Sequence, residues 1–290
     1  MPPPRASGRF ALLLDDIECG IVHSAEGGGI VGEVVSRRGP DYFDEKHLAN
    51  LRYEELVLQV DLSLHASVYA WVAGTLTGGR PRHKGAVAEL ARPGAPLRQR
   101  EFFGALLTEV TFPALDASSK DAAYLTLKLA PEYTRTNPPA GKPNPPATTG
   151  SPLRRGSFRL EIDGLDCSRV HEVGALTVRQ VREPDTGEGR DPDLLPTRLV
   201  FPDLSVALSE SGAQTWVDWR DDFLVRGNNT AAHERQGRLS LLAADGKRVL
   251  AELRLVNLGI LRLEPVQSSA GDRELAASLY CERLELTVNP

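Results

Sequence analysis

The chain repeats itself. Phe10 to His23 reads FALLLDDIECGIVH and Phe158 to His171 reads FRLEIDGLDCSRVH. Phe10, Leu12, Asp15, Cys19, Val22 and His23 each recur 148 positions on, as Phe158, Leu160, Asp163, Cys167, Val170 and His171. The register persists: Leu56, Leu58 and Val60 fall on Leu204, Val206 and Leu208, and Trp71 falls on Trp219. Farther on the copies drift. RPGAPL at Arg92 to Leu97 matches ADGKRV at Ala244 to Val249, and DAAYL at Asp121 to Leu125 is aligned with LAASL at Leu275 to Leu279. Small insertions in the second copy account for this. A repeat of this length makes the chain two copies of one unit, and 290 residues leave each copy able to bury a core. The expected division is a first domain over residues 1–130, a Pro/Gly-rich linker over 131–155 and a second domain over 156–290.

Within a copy the pattern is that of strands. FRLEID alternates apolar and polar residues, which puts Phe158, Leu160 and Ile162 on one face, and LSVAL alternates likewise. Asp163-Gly164 predicts a tight hairpin turn, as does Asp245-Gly246, whose counterpart in the first copy is Pro93-Gly94. One helix per copy interrupts the strands. SVYAWVAGTL places Val68, Trp71, Val72 and Leu76 on one side, and AQTWVDWRDDFLV does so with Trp216, Trp219, Phe223 and Leu224. The fold class is therefore mainly β, a β-sandwich or barrel with one helix per domain, in tandem duplication.

Composition removes several function classes. A net charge of −5 shows no basic excess for wrapping nucleic acid. No apolar run approaches the ~18 residues of a membrane span, and MPPPRASGRF has no hydrophobic signal region. Cytoplasmic synthesis is expected, and three cysteines, an odd number, suit reduced thiols.

The order of motifs resembles the tail-tube proteins of contractile phages. The resemblance rests on the opening strand pair, the Trp-bearing helix, the hairpin LARPGAPLRQREFFGALL and the segment EVTFPALDASSKDAAYLTLKLAPE. It covers Gly8 to Tyr133 and, more weakly, Gly156 to Val288, where RLEPVQSSAGDRELAASLYCERLEL keeps Ser268 and Ser269 but loses the Pro-x-Leu-Asp approach. The resemblance implies a structural protein and no enzyme, self-associating into stacked rings together with other tube, baseplate or cap proteins of one particle. Two tube-like domains per chain imply a trimeric, pseudo-sixfold ring, as in a hub or adapter, or else a specialised tube subunit.

No residue set satisfies the geometry of catalysis, so no catalytic, cofactor or metal site is assigned. Cys19-x-x-x-His23 and Cys167-x-x-x-His171 offer zinc-type ligands, but the simpler reading is a duplicated pair of partly buried residues sharing a strand face. Asp15-Asp16 matches the turn Asp163-Gly164, which favours a turn over acid–base work. EGGGIVGEV, Glu26 to Val34, lacks the Lys-Ser/Thr of a phosphate loop and reads as flexible backbone. His47, His65, His83 and His233 accompany no nucleophile motif. The basic stretches at Gly79 to Gly85 and Leu153 to Gly156 read as solvated faces or subunit contacts. Two polar loops, SRRGPDYFDEKHLAN and REPDTGEGRDPDLL, occupy equivalent places and differ in charge. The alternative function is a two-domain β-sandwich that binds a carbohydrate or small ligand, with Trp71, Trp216 and Trp219 as candidate platforms.

Overall fold

A computed structural model describes residues 9–39, 43–90, 96–138, 153–184, 194–267 and 273–289. Its first half runs β1 (Arg9–Leu14), β2 (Ile17–Val22), β3 (Ser24–Gly27), β4 (Ile30–Arg38), β5 (Asp44–Tyr53), β6 (Leu56–Val60) and α1 (Ala66–Leu76). There follow β7 (Arg82–Leu90), β8 (Pro96–Phe112), β9 (Leu115–Asp116), β10 (Leu125–Ala130) and β11 (Tyr133–Asn137). The second half comprises β12 (Phe158–Ile162), β13 (Val170–Val173), β14 (Leu176–Pro184), β15 (Leu194–Val200), β16 (Leu204–Ser209) and α2 (Gln214–Arg220). It closes with β17 (Arg235–Leu242), β18 (Val249–Gln267) and β19 (Arg273–Val288).

The two halves share one pairing scheme. Leu12 lies opposite Val87 where Leu160 lies opposite Leu239, and Leu58 opposite Leu127 where Val206 lies opposite Ala277. The long strands β8 and β18 share their irregularities. Gly104 and Asn257 both take a left-handed φ of 57°, and the ladder slips one residue at Thr108 and again at Leu261. Gly85 sits opposite Phe102, whose ring a side chain there would overlap, and Gly237 holds the equivalent place opposite Leu255. One alignment needs correction. Leu125 faces Val60 and Leu275 faces Leu208, so Leu125 matches Leu275 and not Leu279.

Alternation determines which residues are buried. Leu204, Val206 and Leu208 point inward from β16 while Ser205 is exposed, and β10 buries Leu125, Leu127 and Leu129. α1 lays Val68, Trp71, Val72 and Leu76 on this core, with His65 capping its start by accepting from Ser67 N–H at 3.3 Å. α2 buries Trp216 and Trp219 but passes into a wide π-turn over Asp221–Val225. The extra residue per turn keeps Phe223 inside and carries Leu224 out to solvent, contrary to the regular-helix expectation.

The strands form a ten-stranded sheet, a seven-stranded sheet and a separate two-stranded ribbon, β4 with β5. Neither large sheet respects the halves. β14 joins the first sheet through β8, and β9 joins the second through β13. The buried apolar residues accordingly make one cluster running from Phe10 to Leu286. Two expectations change here. The stretch expected to begin the linker pairs as β11 along β8, from Tyr133 opposite Phe103 to Asn137 opposite Gln99. Much of SRRGPDYFDEKHLAN belongs to the β4–β5 ribbon, and REPDTGEGRDPDLL begins and ends in β14 and β15.

Candidate assembly interface

The joint between the halves is a strand added to an edge. β14 lies antiparallel on the outer edge of β8, with Leu176 opposite Phe112, Val178 opposite Val110 and Arg179 opposite Glu109. β7 leaves this edge of β8 open beyond Leu106, and β14 supplies the missing ladder partner. Leu176, Val178, Val110 and Phe112 are all buried along the joint.

Charged groups flank the apolar strip. Arg179 Nε donates to Glu109 Oε2 at 2.9 Å, and Lys128 Nζ lies 2.8 Å from Glu109 Oε1. Arg182 Nη2 donates to Glu55 Oε1 at 2.6 Å, an oxygen that also accepts from Thr108 Oγ1 at 3.0 Å. Thr111 and Thr177 hydroxyls meet at 3.0 Å, and Arg80 Nη2 donates to the Thr197 carbonyl at 3.0 Å. Burial pushes the Glu109 carboxyl up, but the bonds from Lys128 and Arg179 outweigh it and hold the group below the usual carboxylate range.

A group lowered in the folded state stabilises above its unfolded pKa and loses that contribution as pH falls through the folded value. The joint is therefore expected to weaken on acidification below its ordinary value of 4.5. Arg179 is well exposed, so screening limits the effect, and Glu109→Gln should cost about 1 kcal/mol at neutral pH. Denaturant melts between pH 3 and 7 check this: the variant's acid limb should be flatter, and a parallel limb would count against the joint.

The open counterparts of this joint lie elsewhere on the surface. The β4–β5 ribbon pairs only with itself among the described residues. It carries Ile30, Val31, Val34, Val35, Leu48 and Leu51 exposed. An isolated two-stranded ribbon is marginal in water, and such an apolar one exposes surface that soluble chains ordinarily cover. β18 is paired on one side by β19 along its length, but its other side loses β17 beyond Leu258. Leu261 and Val266 stand exposed on that stretch.

The residues singled out from the sequence fall into structural places. Asp15 and Asp16 have φ of 48° and 67° and form the β1–β2 turn. Asp163-Gly164 is also a turn, closed by Leu165 N–H to the Ile162 carbonyl at 3.0 Å, yet among the described residues no strand returns along β12 from it. The Asp245-Gly246 turn joins β17 to β18, with Asp245 Oδ1 accepting from Lys247 N–H at 2.8 Å. Pro93-Gly94 lies outside the described residues.

Cys19 and His23 do not share a face. Gly20, at φ 121°, breaks the alternation, so Cys19 points into the core while exposed His23 stacks on Tyr124 with centroids 4.0 Å apart. His171 Nε2 lies 3.4 Å from Glu274, and burial pushes the Cys167 thiol up to about 11. Among the described residues no group of three or more His, Cys, Asp or Glu is placed to hold a metal. His47 is exposed on β5, and His233 lies beside Thr230, its Nδ1 2.9 Å from the hydroxyl.

Glu26 to Val34 runs from β3 into β4, and its glycines are tied to neighbouring strands. The Gly28 carbonyl accepts from Thr134 Oγ1 at 2.9 Å, and the Gly27 carbonyl accepts from Arg100. The basic stretch from Gly79 is matched internally: Arg82 with Glu132 at 2.7 Å, His83 with Asp15, and Lys84 with Asp16 at 2.6 Å. From Leu153 to Gly156 the chain is built into the fold, with Leu153 buried and Arg154 bridging Ala122. No helix among the described residues is long and apolar enough to cross a membrane. The joint itself escapes sequence reasoning, because nothing in a repeat says which edge its copies share.

No protein-family model and no curated protein matches the chain. Several solved structures do. One is the extended sheath–tube complex of the extracellular contractile injection system PVC, at 16% identity and TM-score 0.40, over 47% of this chain and 93% of that chain. Another is the tube-terminating cap of the anti-feeding prophage, at 18% identity and TM-score 0.41, over 48% of this chain and 94% of that one. A third is the anti-feeding prophage baseplate, at 18% and TM-score 0.39, over 47% and 97%.

Proposed function

We propose that the chain is a non-enzymatic structural subunit of a contractile tail or injection particle. In this reading three chains close a pseudo-sixfold ring that works with tube, baseplate or cap proteins, as a hub, adapter or specialised tube subunit. Each chain supplies two tube-like units, the first extending through β11 to Asn137 and the second from Gly156.

The observation that carries the reading is the β8–β14 joint. It links two like units side by side through ladder hydrogen bonds and leaves an open edge on β18 and an open ribbon at β4–β5. Heterologous joints repeat into a ring where their rotation closes, and closure covers the edges that the joints use. The order of sequence motifs supplies the particle class. A carbohydrate-binding module lacks its platforms, since Trp71, Trp216 and Trp219 are all buried.

Native mass of the purified chain, with class averages of any rings, tests this. Three chains per ring with sixfold-looking averages are expected. Six chains with both halves in one ring, or a stable monomer at all concentrations, would overturn it.

A further inference from the structure

The in-chain joint is a template for the joint between chains. Residues of β14 and β15 map onto the β4–β5 ribbon 148 positions earlier: Arg179 faces Val200 as Val31 faces Arg52. Residues of β8 map onto β18 153 positions later, as Gly104 onto Asn257 and Thr108 onto Leu261 show. Applied to the pairs Val178–Val110 and Arg179–Glu109, these offsets name one register for the open surfaces.

We infer that β4 adds to the free edge of β18 in a second copy of this chain, with Ile30 opposite Leu263 and Val31 opposite Arg262. The inference deepens the ring reading and rests on it only for the number of chains.

Burial agrees with the mapping. Val178 and Val110 are each 2% exposed where β14 lies on β8, whereas Ile30, paired only with Tyr53 of its own ribbon, is 60% exposed. Leu263, the counterpart of Val110, already faces inward at 7%, so it offers an apolar floor beside the open edge. Leu261 and Val266, at 46% and 39% exposed, stand on the outward face of the same stretch and leave apolar surface on that side of the open edge as well.

The two joints differ in chemistry at the same positions. Arg179 and Arg182 of the in-chain joint become Val31 and Val34, Thr108 becomes Leu261, and Glu109 becomes Arg262. The in-chain joint is ion-paired, whereas the joint between chains carries Val31 and Val34 where the arginines stand, with Val31 opposite Arg262. Crosswise pairings are penalised. β4 laid on β8 would leave Glu109 and Glu55 facing Val31 and Val34, and β14 laid on β18 would set Arg179 against Arg262. The like-charge contact disfavours β14 on β18, and β4 on β8 would cost Glu109 and Glu55 their arginine partners while Lys128 and Thr108 remain, so β4 on β18 is the favoured joint between chains.

The test is oxidative crosslinking of the full-length double variant Ile30→Cys, Leu263→Cys, with each single variant as control. Reducible species at whole multiples of the chain mass are expected. The one-residue-shifted variant Ile30→Cys, Glu264→Cys should link at least about tenfold less, because a slip of one residue turns the side chain to the other face. Because Leu263 is buried, Ile30→Lys and Val34→Lys provide a second measurement: the secondary-structure spectrum should hold while assembly weakens about tenfold or more. Three-chain rings without the 30–263 link, or assembly indifferent to both lysines, would overturn the register and leave the ring reading standing. A specific 30–263 link in a species that never closes at three chains would uphold the register and overturn the ring. Absence of both link and assembly would overturn both.

Discussion

Alanine at Trp216 is expected to destabilise the protein by about 3–5 kcal/mol, the range for truncating a buried tryptophan. Trp216 is 0% exposed, under the seven-stranded sheet, and its Nε1–H donates to the Asp166 carbonyl at 2.9 Å. Truncation removes the packing and leaves that carbonyl in need of a partner. Phenylalanine separates the two contributions. Trp216→Phe keeps most of the volume and should still cost about 1–2 kcal/mol through the lost bond. Trp219→Phe should cost less of that kind, since the buried Trp219 Nε1 meets no protein acceptor. Its ring instead lies under Arg235, whose guanidinium carbon is 5.0 Å from the centroid. Urea melts of the three variants decide it: Trp216→Ala with a loss below 1 kcal/mol would mean that α2 is no part of the cooperative core.

How much of this was legible in the sequence depends on where each signal comes from. Burial on one face writes a period into a strand, so FRLEID and LSVAL were read correctly, as were the inward faces of both helices up to Phe223. Leu224 was misread because the period assumed 3.6 residues per turn, whereas a π-turn is wider. The β4–β5 ribbon was read as glycine-rich backbone followed by a polar loop. A ribbon packed on neither face has no reason to alternate, so Ile30, Val31, Val34 and Val35 leave no periodic trace. The late alignment slipped by four positions because LAASL resembles DAAYL in composition, and only the partner strand distinguishes Leu275 from Leu279. The joint was illegible for a different reason. Which edge accepts β14 is settled by ladder partners far apart in sequence, among them Val178 and Val110, and no local pattern encodes them.

Alanine at Gly27 is expected to cost about 3 kcal/mol and to misdirect the ribbon. Gly27 ends β3 with φ 81°, a conformation that costs an L side chain roughly 1–2 kcal/mol. The neighbouring atom is backbone: a methyl group built there would lie 2.0 Å from the Glu55 carbonyl oxygen, which no rotamer change can move. Relieving the overlap requires shifting the start of β6, which pairs with β3 from Gly27 opposite Leu56 to Ser24 opposite Gln59. Gly78 provides the control, with φ 89° and nothing within 4 Å of the added carbon, so Gly78→Ala should lose only the conformational part, about 1 kcal/mol. Thermal melts should therefore rank Gly27→Ala well below Gly78→Ala, by several degrees for a chain of this size. Equal losses would mean that the corner yields and the Glu55 contact imposes no constraint. Unequal losses would mean that the Glu55 carbonyl contact constrains the corner from which β4 departs. The direction of that departure decides whether the ribbon can meet a second copy.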